Sequence, residues 1–350
     1  MLAGIAAVTA LRVYECTLLP VETGDVVRNL LYGVAIGEHG LSAAGEPLRE
    51  ISIRWAGASW SNLPYNYPPT ALAFFALIAA ISPTVFAAKL ALTALEATNA
   101  WLIHRLCDSR LLGLVYWASP ASIWWVSREG QFEPLQTLLT LLSLLALARF
   151  PLLCGTALAL AIAVKMTAAA LVPWVAYNLW KSGRRALALA ALGFALGSLP
   201  AIGAELAYGG ISNVFRFSSP LVYNPYYWDW TAKMFSWNPR WLIVANQIAS
   251  YGMLLALIAL AVRSRDRLAF LAPIAFMLFC KLHTNVQFWY FVFLPALLIP
   301  IPEPRARFAL IAACPLLDVR SALQLAFGPF SQRGYRGMRS VFDLYLPPPR

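Results

Sequence analysis

Residues 186–206 read ALALAALGFALGSLPAIGAEL, an apolar run with a single ionisable side chain, Glu205, close to its end. At about 1.5 Å of rise per residue, a helix of this length crosses the roughly 30 Å hydrocarbon core of a bilayer. Lys181, Arg184 and Arg185 stand directly before it. Basic residues flanking an apolar run mark the cytoplasmic side. Leu242–Val262 is a second such run, and it closes on Arg263, Arg265 and Arg267. Two runs of this kind predict a membrane fold and give it an orientation.

Composition agrees. Hydrophobic residues make up 60% of the 350 and charged residues 12%, about half the charged share of a soluble domain. That leaves too little charge to coat a water-soluble globule of this size. The net charge of +11 would suit nucleic acid in a soluble protein. Here the basic residues sit in short clusters between apolar runs (Arg105 and Arg110; Lys181 to Arg185; Arg263 to Arg267; Arg305 and Arg307), so orientation accounts for them and no nucleic-acid partner is expected. Cys16, Cys107, Cys154, Cys280 and Cys314 are scattered singly, without metal-ligand spacing or a disulfide framework. Residues 1–20 lack a basic n-region and contain Arg12 and Glu15, so they read as a first membrane helix rather than a signal peptide.

The expected fold is an all-α polytopic membrane protein, with residues 1–330 forming one bundle of roughly nine to eleven spans and 331–350 a short tail. Two long extracytoplasmic loops are expected, 21–68 and 208–240. Within the first, Val26–Ile36 has helical apolar spacing and reads as an interfacial helix. Leu111–Ser127 reads as one span. Residues 155–177, interrupted by Lys165 and containing Pro173, read as two short helices with Lys165 at the outer face.

Chemistry-bearing residues gather on the face opposite the basic clusters. Asp25 follows the first helix, where a carboxylate can serve as general base or cap the next helix. Tyr67 precedes Pro68-Pro69, which forms a rigid lead-in to a helix. The turn Ser127-Arg128-Glu129-Gly130-Gln131-Phe132-Glu133 packs two carboxylates, an arginine and a glutamine between apolar helices, where such groups need pairing or a role; Arg128 with Glu133 is the simplest brace. Lys165 either snorkels or meets a phosphate. Lys281, His283 and Gln287 lie together in a late turn.

In this order the segments resemble the GT-C superfamily of membrane glycosyltransferases, and are similar to the catalytic subunit of GPI mannosyltransferase I and its prokaryotic relatives. Asp25 matches the acidic residue of the first outer loop, and Tyr67-Pro68-Pro69 a Tyr-x-Pro-type segment. Ser119-Pro120 followed by Arg128-Glu129-Gly130-Gln131-Phe132-Glu133 matches a Pro-containing helix ending in a polar turn, and Lys165 a mid-helix lysine. Lys281, Thr284, Gln287, Phe288 and Pro295 resemble a late Lys-x-x-Thr-x-Gln-Tyr segment, with one residue more and Phe for Tyr. The likeness spans about residues 12–300.

The resemblance implies inverting transfer of a hexose, mannose first, from a dolichyl- or polyprenyl-phosphate carrier to a lipid-linked or glycan acceptor on the extracytoplasmic face of the cell membrane. It implies Asp25 as base; Lys165, Lys281, Arg128 and His283 toward the donor phosphate; and Glu129, Gln131, Glu133, Gln287, Tyr67, Tyr227 and Trp228 toward sugar or acceptor. Membrane lipids are expected partners, and a small membrane subunit is compatible with the family. Where GPI-type enzymes carry Asp-x-Asp, only Asp25 is present, so no cofactor is named and a divalent metal is left open. The competing class is a transporter or lipid flippase; no internal repeat of the hydropathy pattern supports it. A non-catalytic scaffold is the third reading.

Overall fold

The computed structural model describes residues 2–21, 24–48, 64–218, 240–282, 288–328 and 340–342, and these are helical with no strand. In chain order come α1 (Leu2–Thr17), α2 (Asp25–His39), a 3₁₀ turn (Leu41–Gly45), α3 (Pro69–Ile81), α4 (Val85–Cys107) and α5 (Arg110–Trp117). Next, α6 (Pro120–Ser122) runs into a π-helical stretch, Ile123–Arg128, before α7 (Glu133–Ala146). Then follow α8 (Pro151–Ile162), a 3₁₀ turn (Met166–Leu171), α9 (Val172–Ser182), α10 (Arg184–Tyr208) and α11 (Gly210–Ser218). The last elements are α12 (Arg240–Arg263), α13 (Leu271–Leu282), α14 (Leu294–Leu298), α15 (Pro304–Ala313) and α16 (Val319–Phe327). Prolines stand in the first turn of α3, α6, α7, α8, α9, α14 and α15. Their missing N–H costs nothing there, because first-turn amides have no intrahelical acceptor.

Among the described residues three helical stretches are long and apolar enough to cross a membrane: Arg184–Tyr208, Val244–Arg263 and Pro304–Phe327. On α10 the usual amphipathic order is inverted. Leu192, Leu196, Leu199 and Leu206 are exposed, while Ala190, Gly193, Gly197 and Ala204 are buried. Large apolar side chains outside and small ones inside suit a hydrocarbon surround with backbones packed closely within. The partner on the small-residue face is α8. A Cβ on Gly193 would lie 2.0 Å from the Leu152 carbonyl oxygen, and one on Gly155 1.9 Å from that of Ala190.

The core has two lobes. One joins α2, α3, the Tyr65 loop and the π-helical stretch, and includes Val26, Tyr65, Phe75, Trp124, Phe132 and Val164; the other joins α7 to α9 with α12 to α15. Helix α2 departs from expectation. Every residue from Val26 to Ala35 is buried, so it is packed within the protein instead of laying one apolar face on a surface. The expected single span 111–127 is broken at Ala118-Ser119-Pro120, where Pro120 cannot continue the ladder and Ser119 is extended (ψ 120°). Residues 151–182 form two helices with a break at 163–165, and Lys165 has extended backbone (φ −149°, ψ 135°).

Candidate active site

Asp25 is the first residue of α2, and Gly24 holds the capping position. The carboxylate turns elsewhere: its Oδ2 accepts hydrogen bonds from Gln131 Nε2 (3.1 Å) and Tyr67 Oη (3.4 Å). Gly130 makes the first of these possible. Its φ of +73° turns the chain after the π-helical stretch, and a Cβ there would fall 2.7 Å from Val26 Cβ. The 128–133 turn therefore lies directly on α2. Burial, and then the Asp25 carboxylate, push the Tyr67 phenol well above its usual range, so it stays protonated as a donor.

Two residues past Gln131, Glu133 opens α7 and forms an ion pair with Lys165 at the break after α8. Both side chains are buried, 1% and 6% exposed. The ammonium lies 4.5 Å from the Phe132 ring centre, 4.7 Å from that of Tyr290 and 5.7 Å from that of Tyr67. Ring faces stabilise a cation where water is excluded. Phe132 also packs edge-on against Tyr67 at 4.8 Å, which joins the lysine box to the Asp25 group. Gln136, one turn along α7, donates to Lys165 O (2.6 Å) and Thr167 Oγ1 (2.9 Å) and satisfies the backbone freed by the break. Glu133 Oε2 is buried and has no hydrogen-bond partner.

Of the residues singled out from sequence, Asp25, Tyr67, Gln131, Glu133 and Lys165 come together. The two simpler readings fail here: Asp25 does not cap α2, and Lys165 does not snorkel. Arg128 and Glu129 go elsewhere. Arg128 pairs with Glu15 of α1 (3.2 Å) rather than Glu133, and Glu129 Oε1 accepts from Val21 N (2.9 Å). The π-helical turn explains the divergence, since one extra residue per turn rotates Arg128 and Glu129 toward α1 and the segment after it while Gln131 and Glu133 face α2 and the break after α8. Lys281 falls in the last turn of α13. His283, Gln287, Tyr227 and Trp228 lie outside the described residues.

A second buried network joins residues that their sequence pattern does not pick out. Arg12 donates to Trp117 O (2.7 Å), Ser122 Oγ (2.8 Å) and Ser127 Oγ (3.2 Å). Ser122 donates on to Glu96 (2.6 Å), which also accepts from Tyr116 and Asn99. Lys89 Nζ holds the end of α1 through Glu15 O (3.1 Å) and Leu18 O (2.7 Å). Charges inside the apolar stretch 86–103, which needs partners for them, were the available signal.

Among the described residues no three His, Cys, Asp or Glu side chains assemble. No step is assigned to a metal. The arrangement offers a carboxylate fed by two donors, a box-held cation about one side chain away, and a buried carboxylate oxygen without a partner. Comparison with protein-family models, curated proteins and solved structures finds no match to this chain.

Proposed function

We propose that the chain is a polytopic membrane glycosyltransferase of GT-C type, with roughly nine to eleven spans, that moves a hexose, mannose first, from a polyprenyl- or dolichyl-phosphate carrier to a membrane-near acceptor on the extracytoplasmic face. The observation that supports it is the meeting of Asp25, Tyr67, Gln131, Glu133 and Lys165, which come from four separated stretches of sequence. An ordinary membrane bundle has no need to gather a carboxylate, an unpartnered carboxylate oxygen and an enclosed cation at one place.

In this reading the acceptor hydroxyl attacks the sugar's C1 and its proton passes to Asp25. The C1–O bond to the carrier phosphate breaks, the bonding pair stays with the phosphate, and the anomeric configuration inverts. Lys165 offsets the charge developing on that leaving group. Glu133 Oε2 takes a hydrogen bond from a sugar hydroxyl, and Gln131 and Tyr67 hold the Asp25 carboxylate in line. The test is transfer from radiolabelled polyprenyl-phosphate mannose by purified protein, with Asp25→Asn alongside. Loss of the base should lower the rate by about 10²–10⁴-fold. Equal transfer by wild type and variant, or no use of any donor across a panel of sugars, overturns the reading.

One observation favours the transporter or flippase alternative: the Arg12–Ser122–Glu96 chain inside the bundle, since buried ionisable residues often line transport paths. Vesicle uptake or lipid scrambling by the reconstituted protein, abolished in Glu96→Gln, would support it.

A further inference from the structure

Three polar side chains in the neighbourhood of Asp25 are not used by the site above. Arg28, one turn along α2, donates from Nη1 to Asn66 Oδ1 (2.6 Å) and from Nη2 to Pro64 O (2.8 Å), both uncharged acceptors. Its Nε is buried without a partner, and among the described residues no carboxylate lies within ion-pair distance of it. Tyr65 is fully buried and Tyr208 nearly so, yet neither hydroxyl has a hydrogen-bond partner.

Local geometry draws the three together. Asn213 Nδ2 bridges the backbone carbonyls of Tyr65 (3.4 Å) and Tyr208 (3.1 Å). Tyr65 N donates to Ala44 O (2.9 Å), and Tyr208 packs so closely on Gly45 that a Cβ there would meet Tyr208 Cβ at 3.2 Å. The Tyr32 ring lies 5.1 Å from that of Tyr65 and 5.6 Å from the Arg28 guanidinium. Burial, then the neighbouring Tyr208 phenol, push the Tyr65 phenol well above its ordinary range, so it is an O–H donor.

A buried donor left unpaired is costly, and native proteins leave few of them. Here one guanidinium N–H and two phenol O–H groups are left so in one place, beside a cation whose charge meets only neutral oxygens. The group that satisfies an arginine and two hydroxyls together is an anion with several acceptor oxygens, such as phosphate. We propose that Arg28, Tyr65 and Tyr208 form a subsite for the phosphate of a hydroxylated phospholipid headgroup, which presents its hydroxyl to Asp25 as the acceptor. The acceptor role rests on the transferase reading; the phosphate subsite stands apart from it.

The test measures binding, not turnover. Wild type, Tyr65→Phe, Tyr208→Phe and the double variant are placed in phosphatidylcholine nanodiscs doped with phosphatidylglycerol or with a neutral monoglucosyl diacylglycerol. Retained lipid is read by native mass spectrometry and thermal stabilisation, with inorganic phosphate titrated in detergent as a third arm. Phe keeps each ring and the net charge, so nonspecific attraction of anionic lipid to a basic protein is unchanged. Phosphatidylglycerol should bind wild type in preference to the neutral lipid, and about tenfold or more weakly in the double variant. Equal binding by wild type and double variant overturns the subsite. Binding of free phosphate without phosphatidylglycerol overturns its assignment to a lipid. If phosphatidylglycerol binds as expected, in Asp25→Asn as well, while no donor is ever consumed, the transferase reading fails and the subsite stands.

Discussion

Lys165 and Glu133 are each the answer to the other's burial. An ammonium at 6% exposure and a carboxylate at 1% are expensive in isolation. Lys165→Met leaves the buried Glu133 without its counter-charge and should cost about 3–5 kcal/mol of stability. Lys165→Met/Glu133→Leu removes both charges and should recover much of that loss. Thermal unfolding in detergent micelles gives the comparison, and losses that simply add would show the two are uncoupled. Asp25 differs in kind: its partners are the neutral Gln131 and Tyr67, so Asp25→Asn should change activity far more than melting temperature.

At the level of elements, the α8–α10 contact is set by glycine. Gly155 and Gly193 let each backbone touch the other's carbonyl oxygens, and Thr156 Oγ1 donates to Gly193 O at 3.1 Å across the seam. Gly193→Leu should force the helices apart and lower stability by several kcal/mol, roughly the upper range of overpacking costs. Gly252→Ala on α12 meets nothing within 4 Å and should be tolerated or slightly stabilising. A melt in which both variants behave alike would contradict the packing. The π-helical stretch 123–128 is the other decisive element, because it sends neighbouring polar residues in opposite directions: Arg128 and Glu129 to α1 and the segment after it, Gln131 and Glu133 to α2 and the break after α8.

At the scale of the whole molecule, α10 is among the three described stretches long and apolar enough to cross a bilayer. Helix α10 runs from exposed Arg184 to Tyr208, and Ser212 follows on α11, also exposed. With its leucine stripe facing hydrocarbon, its two ends belong on opposite sides. In a cysteine-free background, Arg184→Cys and Ser212→Cys should react with a membrane-impermeant maleimide from opposite faces of sealed vesicles. Labelling of both from one face would remove the span, and with it the proposed outer placement of the candidate site.

The sequence by itself determined the helical class, the apolar runs and their basic flanks, since these follow from chain length, hydropathy and charge placement alone. It also pointed to Asp25, Tyr67, Gln131, Glu133 and Lys165 as polar groups needing an explanation. Only the tertiary structure decided which of them meet. The π-helical register took Arg128 and Glu129 away from the site, and Gly130 brought Gln131 onto Asp25, both through backbone geometry that no residue pattern at 3.6-residue spacing announces. The Arg12–Glu96 network and the orphaned donors of Arg28, Tyr65 and Tyr208 were hidden for a related reason. A buried polar atom is defined by what surrounds it, and its surroundings come from helices far away in the chain.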